Sequence, residues 1–375
     1  MGVAESDRIG IVPDKSALQH HAEAAHNALA DAGLSVRDVD GLFTAGFSTL
    51  TTGEYMGIRP RFTDSTSVGG SSFVIHVAHA VAAINAGYCD VALITHGQTG
   101  RSGRPAGHDT SRMDAVGTPN AEFEAPYGII GPPVSYAMAC SRYMHQYGEE
   151  RTRQALAEIA VSTRKWAQLN PKALMRDPLT FEDYHNSRWI AWPFHLLDCC
   201  LVTDAGAAVV ITSTERARDC AKPPVWILGA AEHHDHYMMS QMPDFTVTPA
   251  HESGPRALAM AGVTHKDIDL TMIYDSFTYT VLATLESLGY CGPGQGPDFV
   301  AGQRTAPGGD FPLNTSGGGL SYTHPGMYGI FLIVEAVRQL RGECGDRQVK
   351  DCRVALANGT GGYLSSTGTV ILGTD

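Results

Sequence analysis

The chain has 375 residues, 43% hydrophobic and 18% charged, which is ample apolar material for a sizeable core and argues against disorder. That length fits two or three structural units, or one large two-part α/β domain. A net charge of −12 argues against nucleic acid as a main partner, although local N–H groups can still bind an anion.

The first residues, MGVAESDRIGIVPDK, carry neither a basic n-region nor a long apolar stretch, so no secretory signal is expected. MGVAES meets the N-myristoylation pattern only by chance. No apolar run reaches the roughly 18–20 residues of a membrane span. The eight cysteines (Cys89, Cys140, Cys199, Cys200, Cys220, Cys291, Cys344 and Cys352) contain no C-x-x-C pair. They are expected to be free thiols in a reducing compartment, and the protein to be cytoplasmic.

Residues 28–40, ALADAGLSVRDVD, read as a helix end, a glycine C-cap and an Asp-Val-Asp turn, followed by a short strand in GLFTAG. The stretch DSTSVGGSSFVIH, 64–76, then runs from a small-residue turn into an apolar helix expected at 71–87. Free N–H groups and the positive end of a helix dipole make such a turn suited to catalysis. Ser67 stands where a cysteine nucleophile would be wanted. A strand is expected in DVALITH, 90–96, then a long insertion over 97–195 and a β-rich run at 206–213.

Residues 257–269, ALAMAGVTHKDID, repeat the 28–40 pattern 229 residues later (257 − 28). A short strand in LTMIYDSF, a helix at 326–341, a strand at 353–359 and a β-run at 368–374 follow in the same order as in the first half. The expectation is an α/β chain of two similar βαβ halves with parallel-rich sheets. The first half comprises 1–96 plus 196–220, the insertion 97–195 and the second half 221–375. EHHDH, 232–236, invites a metal reading, but without a second ligand cluster these are expected to be exposed loop histidines and no metal site is assigned.

These stretches resemble the thiolase superfamily, on the sterol-carrier-protein thiolase branch, over nearly the whole chain. NTSGGGLSYTHPGMYG, 314–329, is similar to that family's glycine-rich G-H-P loop, with Thr323 where glycine usually stands. YDSFTYTVLATLESLGYCGPGQG, 274–296, resembles its H-D-C-F segment. The resemblance implies a five-layered αβαβα fold, a homodimer and acyl-CoA thioester substrates, with CoA as part of the substrate and no other cofactor. It maps four catalytic loops onto Ser67, onto Tyr274, Asp275, Ser276 and Phe277, onto His324, and onto 358–365. In the last, Asn358 lies near the place of the second cysteine and Tyr363 follows Gly361 and Gly362. It also implies an opening strand before GVAESD, so a shortened first strand is expected.

Both cysteine roles are therefore vacant, and an acyl-enzyme lacks its thiolate. A retro-aldol cleavage of a β-hydroxyacyl-CoA needs no nucleophile. It needs a base for the β-hydroxyl, stabilisation of an enolate and an acid to protonate it. This pattern is similar to the cysteine-lacking thiolase-like aldolases of bacterial steroid degradation. That likeness implies propionyl-CoA and a 17-keto steroid as products, and a partner protein with an OB-fold and a zinc ribbon. It puts Tyr363 first as base, His324 on the thioester carbonyl, and Tyr322 or Tyr274 as second acid/base. Ser67, Asp275 and Gly361 are pocket candidates, with Ser67 as a helix cap and Asp275 as an orienter of backbone amides. Arg101 and Arg104 are CoA candidates. The alternatives are an acyltransferase that does not use cysteine and a non-catalytic acyl-CoA-binding scaffold.

Overall fold

The computed structural model describes residues 1–103 and 117–374. The first half holds β1 (Gly2–Glu5), α1 (Ala17–Ala32), β2 (Gly41–Thr44), α2 (Thr49–Met56), β3 (Phe62–Asp64), α3 (Ser72–Asn85) and β4 (Val91–Thr99). The chain then passes through α4 (Pro119–Phe123), α5 (Pro132–Tyr147), α6 (Glu149–Gln168), α7 (Phe181–Asn186) and a small hairpin, β5 (Trp189–Ala191) and β6 (Phe194–His195). It returns as β7 (Asp204–Thr212) and continues through α8 (Thr214–Ala217). The second half holds β8 (Trp226–His234), α9 (Ala250–Ala261), β9 (Leu270–Ile273), α10 (Thr278–Ser287), α11 (Gly296–Val300), α12 (Gly329–Leu340), β10 (Val354–Gly361) and β11 (Ser366–Gly373).

The repeat seen in the sequence is a structural repeat with the same spacing. Helices α1 and α9 end on Gly33 (φ 74°) and Gly262 (φ 68°), left-handed positions that suit glycine. Each is followed by a single 3-10 turn closed by a carboxylate. Asp38 accepts from the Ser35 amide and hydroxyl, both at 2.9 Å, and Asp267 from those of Thr264, both at 2.8 Å. Strands β2 and β9 follow directly.

The sheets have the orders β1-β7-β4-β2-β3 and β8-β11-β10-β9. They are mixed, which corrects the parallel-rich expectation. In each, the first two pairings are antiparallel, and β4–β2 and β10–β9 are parallel. The reason lies in the connections. A turn as short as 362–365 can only return β11 antiparallel to β10, because a parallel return needs a long crossover. In the first half the equivalent junction, between β4 and β7, is opened by the insertion yet keeps its direction over the register Val91↔Thr212 to Thr99↔Asp204.

Helices α3 and α12 lie between the two sheets, α1 covers the outer face of the first and α9 that of the second, giving the five layers. Helix α12 is buried nearly all round, as a layer between two sheets requires, and Phe73, Val74, Ile330, Phe331 and Leu332 anchor the central core. Strand β1 pairs along all four of its residues with β7. Among the described residues, no helix is long and apolar enough to cross a membrane.

Candidate active site

The parallel strands β9 and β10 end on the same side of the second sheet, and their following loops carry Tyr274 and Tyr363. Tyr274 is tied to this edge by its N–H, which donates to the Asn358 carbonyl at 3.0 Å. The turn before α3 packs into the same place from the first half. A Cβ at Gly70 would lie 2.2 Å from the Tyr274 ring, so only glycine lets the turn approach that closely. Gly361 likewise lies against the Val68 carbonyl, where a Cβ would come within 1.8 Å.

Asp275 organises the third loop. Gly318–Tyr322 is a single π-helical turn, and the Asp275 carboxylate accepts the N–H groups of Gly319 (2.6 Å) and Leu320 (3.1 Å). Burial pushes the Asp275 carboxyl up to about 7, against the pull of those amides. His324 follows this turn. Its Nε2 lies 2.8 Å from the Tyr274 hydroxyl, which also accepts the Tyr328 N–H at 3.1 Å. With one lone pair taken by that amide, the Tyr274 hydroxyl still holds a proton that it can donate to Nε2 in the tautomer that carries its hydrogen on Nδ1. Burial holds the Tyr274 phenol protonated, its pKa well above the ordinary value. Tyr328 stacks on His324 with ring centroids 6.1 Å apart and planes at 22°.

Thus the four loops read from sequence do converge, and Tyr274 and His324 form a direct pair. Tyr322 does not join them. Its hydroxyl donates at 3.2 Å to the buried Glu5, which also holds Arg338 and the half-exposed Lys172. As the last residue of the π turn it is committed to the core between β1 and α12, which corrects its reading as a second acid/base. Tyr363 is buried, with its N–H donating to Ser365 Oγ at 3.0 Å and its carbonyl accepting from His236 Nε2 at 3.0 Å.

Ser67 is exposed and does not cap the helix. The N-cap position is Ser71, which makes no side-chain capping hydrogen bond, and Ser72 instead closes the turn: its hydroxyl accepts the Val68 N–H at 2.9 Å and donates to the Gly69 carbonyl at 2.6 Å. Arg101 is exposed and contributes its amide to the Asp204 carboxylate at 2.8 Å, while Arg104 lies outside the described residues. The histidines of EHHDH are not all exposed loop residues. His233 is half-buried within β8, and His236 reaches the Tyr363 loop. Among the described residues, no group of three or more His, Cys, Asp or Glu side chains could hold a metal ion.

The sequence reading passed over Tyr328 and Tyr136. The Tyr136 hydroxyl donates to the Gly362 carbonyl at 3.0 Å, its ring lies 4.7 Å from that of Phe277, and burial pushes its phenol up to about 12. Tyr328 stands four residues after His324 in the glycine-rich loop, so its proximity was there to be read. Tyr136 lies in the N-terminal part of α5 and no local signal marks it.

Fold and site together define a thiolase-type enzyme with tyrosine and histidine, rather than a cysteine pair, at its centre. Residues 231–374 match the thiolase C-terminal domain-like family. The chain is 40% identical over 344 residues to the 17-hydroxy-3-oxo-4-pregnene-20-carboxyl-CoA lyase of Mycobacterium tuberculosis, covering 88% of this chain and 87% of the relative. It is 39% identical over 376 residues to the steroid side-chain-cleaving aldolase of Thermomonospora curvata, covering 96% and 94%. The solved Ltp2-ChsH2(DUF35) aldolase superposes with a TM-score of 0.89 at 36% identity, covering 100% of this chain and 97% of that one. The chain belongs to the thiolase superfamily, on its branch of CoA-thioester aldolases.

Proposed function

We propose that the protein cleaves a steroid side-chain β-hydroxyacyl-CoA by a retro-aldol reaction, with Tyr274 and His324 as its acid/base pair. The observation that carries this reading is the 2.8 Å contact between the Tyr274 hydroxyl and His324 Nε2. The substrate class is supported by the names of the two relatives.

A neutral buried phenol can take a proton only as it gives one up. The β-hydroxyl proton passes to the Tyr274 oxygen while the phenolic proton moves to Nε2. The Cα–Cβ bond breaks, the β-carbon becomes a ketone, and the electron pair goes to the thioester as an enolate. The proton then returns to the enolate carbon, releasing the shortened acyl-CoA. Protons balance within the site, and CoA enters only as part of the substrate. Tyr363, on the loop against the α3 turn, is the second candidate for the enolate's acid.

A homodimer and an OB-fold/zinc-ribbon partner belong to the same proposal. Strand β3 is an edge strand with Tyr88 stacked on Phe62 beside it, and the similar solved aldolase has a DUF35 partner. Cytoplasmic location fits eight free cysteines. The test is incubation with 17-hydroxy-3-oxo-4-pregnene-20-carboxyl-CoA, with and without a DUF35 partner, following propionyl-CoA and the 17-keto steroid by mass spectrometry. Release of both supports the reading. Acyl transfer to an added thiol in their place overturns it in favour of an acyltransferase, and binding without turnover in either condition favours a scaffold.

A further inference from the structure

Residues 199–204 form a strap that touches both members of the catalytic pair. At one end Cys199 bridges to Phe277, and the Cys200 N–H donates to the Ser276 carbonyl at 3.0 Å, in the loop of Tyr274. In the middle the Leu201 N–H donates to the Gly319 carbonyl at 2.8 Å, in the π turn. Thr203 then grips His324 twice. Its N–H donates to the His324 carbonyl at 3.2 Å, and its hydroxyl accepts the His324 N–H at 3.0 Å. The same hydroxyl lies 2.8 Å from that of Thr323, and both threonines are buried. Beyond it, Asp204 locks the strap down through the amides of Val12, Arg101 and Ser102, each at 2.8 Å.

The distance between Tyr274 and His324 is therefore set by an element that belongs to neither loop. An imidazole moves with its backbone, and a proton relay fails when its two oxygen and nitrogen atoms drift out of hydrogen-bond reach. We propose that Thr203 is a positioning residue for His324: its hydroxyl fixes the histidine backbone where Nε2 meets the Tyr274 phenol. The inference rests on the reading of Tyr274 and His324 as the acid/base pair.

The test uses the full chain, with any required partner, and the thioester named above. Thr203→Val keeps the shape and removes the hydroxyl. It is expected to lower kcat roughly tenfold to 100-fold with KM within about twofold, while Thr203→Ser restores most of the rate. In a His324→Gln background, Thr203→Val is expected to add no further loss, because its effect runs through the imidazole. Wild-type kcat in Thr203→Val, an equally impaired Thr203→Ser, or the same loss repeated in His324→Gln would each overturn the proposal. Where Thr203→Val does not fold, Thr323→Ala removes the hydroxyl partner instead; a kcat loss absent from the His324→Gln background supports the proposal, and no loss overturns it. Full turnover in His324→Gln alone overturns the parent reading, whereas an impaired His324→Gln beside an unimpaired Thr203→Val overturns this inference only.

Discussion

The Tyr274 hydroxyl lies 2.8 Å from His324 Nε2, and the Tyr328 amide donates to the same hydroxyl from the other side. Tyr274→Phe removes the relay atom and leaves the ring. Its kcat is expected to fall by about 10²–10⁴. The unpaired Tyr328 amide costs about 1–3 kcal/mol of stability. Steady-state kinetics beside urea unfolding separates the two effects, and near-normal kcat would remove Tyr274 from the mechanism.

Ser67 is exposed and Tyr363 is buried. Ser67→Ala is expected to leave turnover within about twofold of wild type, since no acyl-enzyme forms. Abolished turnover would favour acyl transfer through Ser67. Tyr363→Phe is the matching test of the enolate's acid. A drop of about 10²-fold or more is expected if that phenol protonates carbon, and an unchanged rate assigns the whole proton cycle to Tyr274 and His324.

Gly70 has room for no side chain, because a Cβ would stand 2.2 Å from a Tyr274 ring that is hydrogen-bonded at its far end. Gly70→Ala is expected to displace that ring and lower kcat at least tenfold, at about 1–3 kcal/mol of stability from overpacking. Crystallography of the variant and its kinetics check the coupling; full activity would show that the ring position is not critical.

Glu5 is fully buried and holds Arg338 (2.5 Å) and Lys172 (2.8 Å), and these cations lower its pKa from 4.5 to about 2 despite the desolvation that opposes them. A folded pKa below the unfolded one stabilises the protein above the unfolded value. That stability is lost as pH falls from 4.5 towards 2. Glu5→Gln is expected to cost about 3 kcal/mol at pH 7, chiefly by leaving the largely buried Arg338 unpaired, and to flatten the acid limb of the stability curve. Denaturant titrations at pH 7 and pH 4 measure both; equal stability at pH 7 would contradict the network.

His79 joins the two halves, with Asp64 of β3 at 2.5 Å and Glu232 of β8 at 3.3 Å. The hydrogen bond to Asp64 raises its pKa above 6.5, with Glu232 adding to the shift and burial opposing it, and His76 lies beside it. The sign is opposite to that of Glu5. The contribution is complete below pH 6.5 and is lost as pH rises through the raised value. His79→Gln is expected to be clearly less stable than wild type at pH 6 and nearly equal at pH 9. Thermal melts across that window decide it, and a pH-independent difference would show that charge is not involved.

The sequence by itself determined what depends on neighbours along the chain. The glycine caps at Gly33 and Gly262, the carboxylate turns at Asp38 and Asp267, and the small-residue turn before α3 are local chemistry, so the duplication and its spacing could be read directly. The absence of cysteine from both mapped loops is equally plain at Ser67 and Asn358, and it points away from an acyl-enzyme on the sequence alone. Tertiary structure alone decided the direction of β7, because that strand returns after an insertion whose length conceals its antiparallel pairing. It alone separated Tyr322 from Tyr274. Both are buried tyrosines on catalytic loops, yet the π turn sends one hydroxyl to Glu5 while Gly70, Tyr328 and His324 enclose the other. Which atom a side chain meets is set by contacts between residues far apart in the chain, and no local pattern records them.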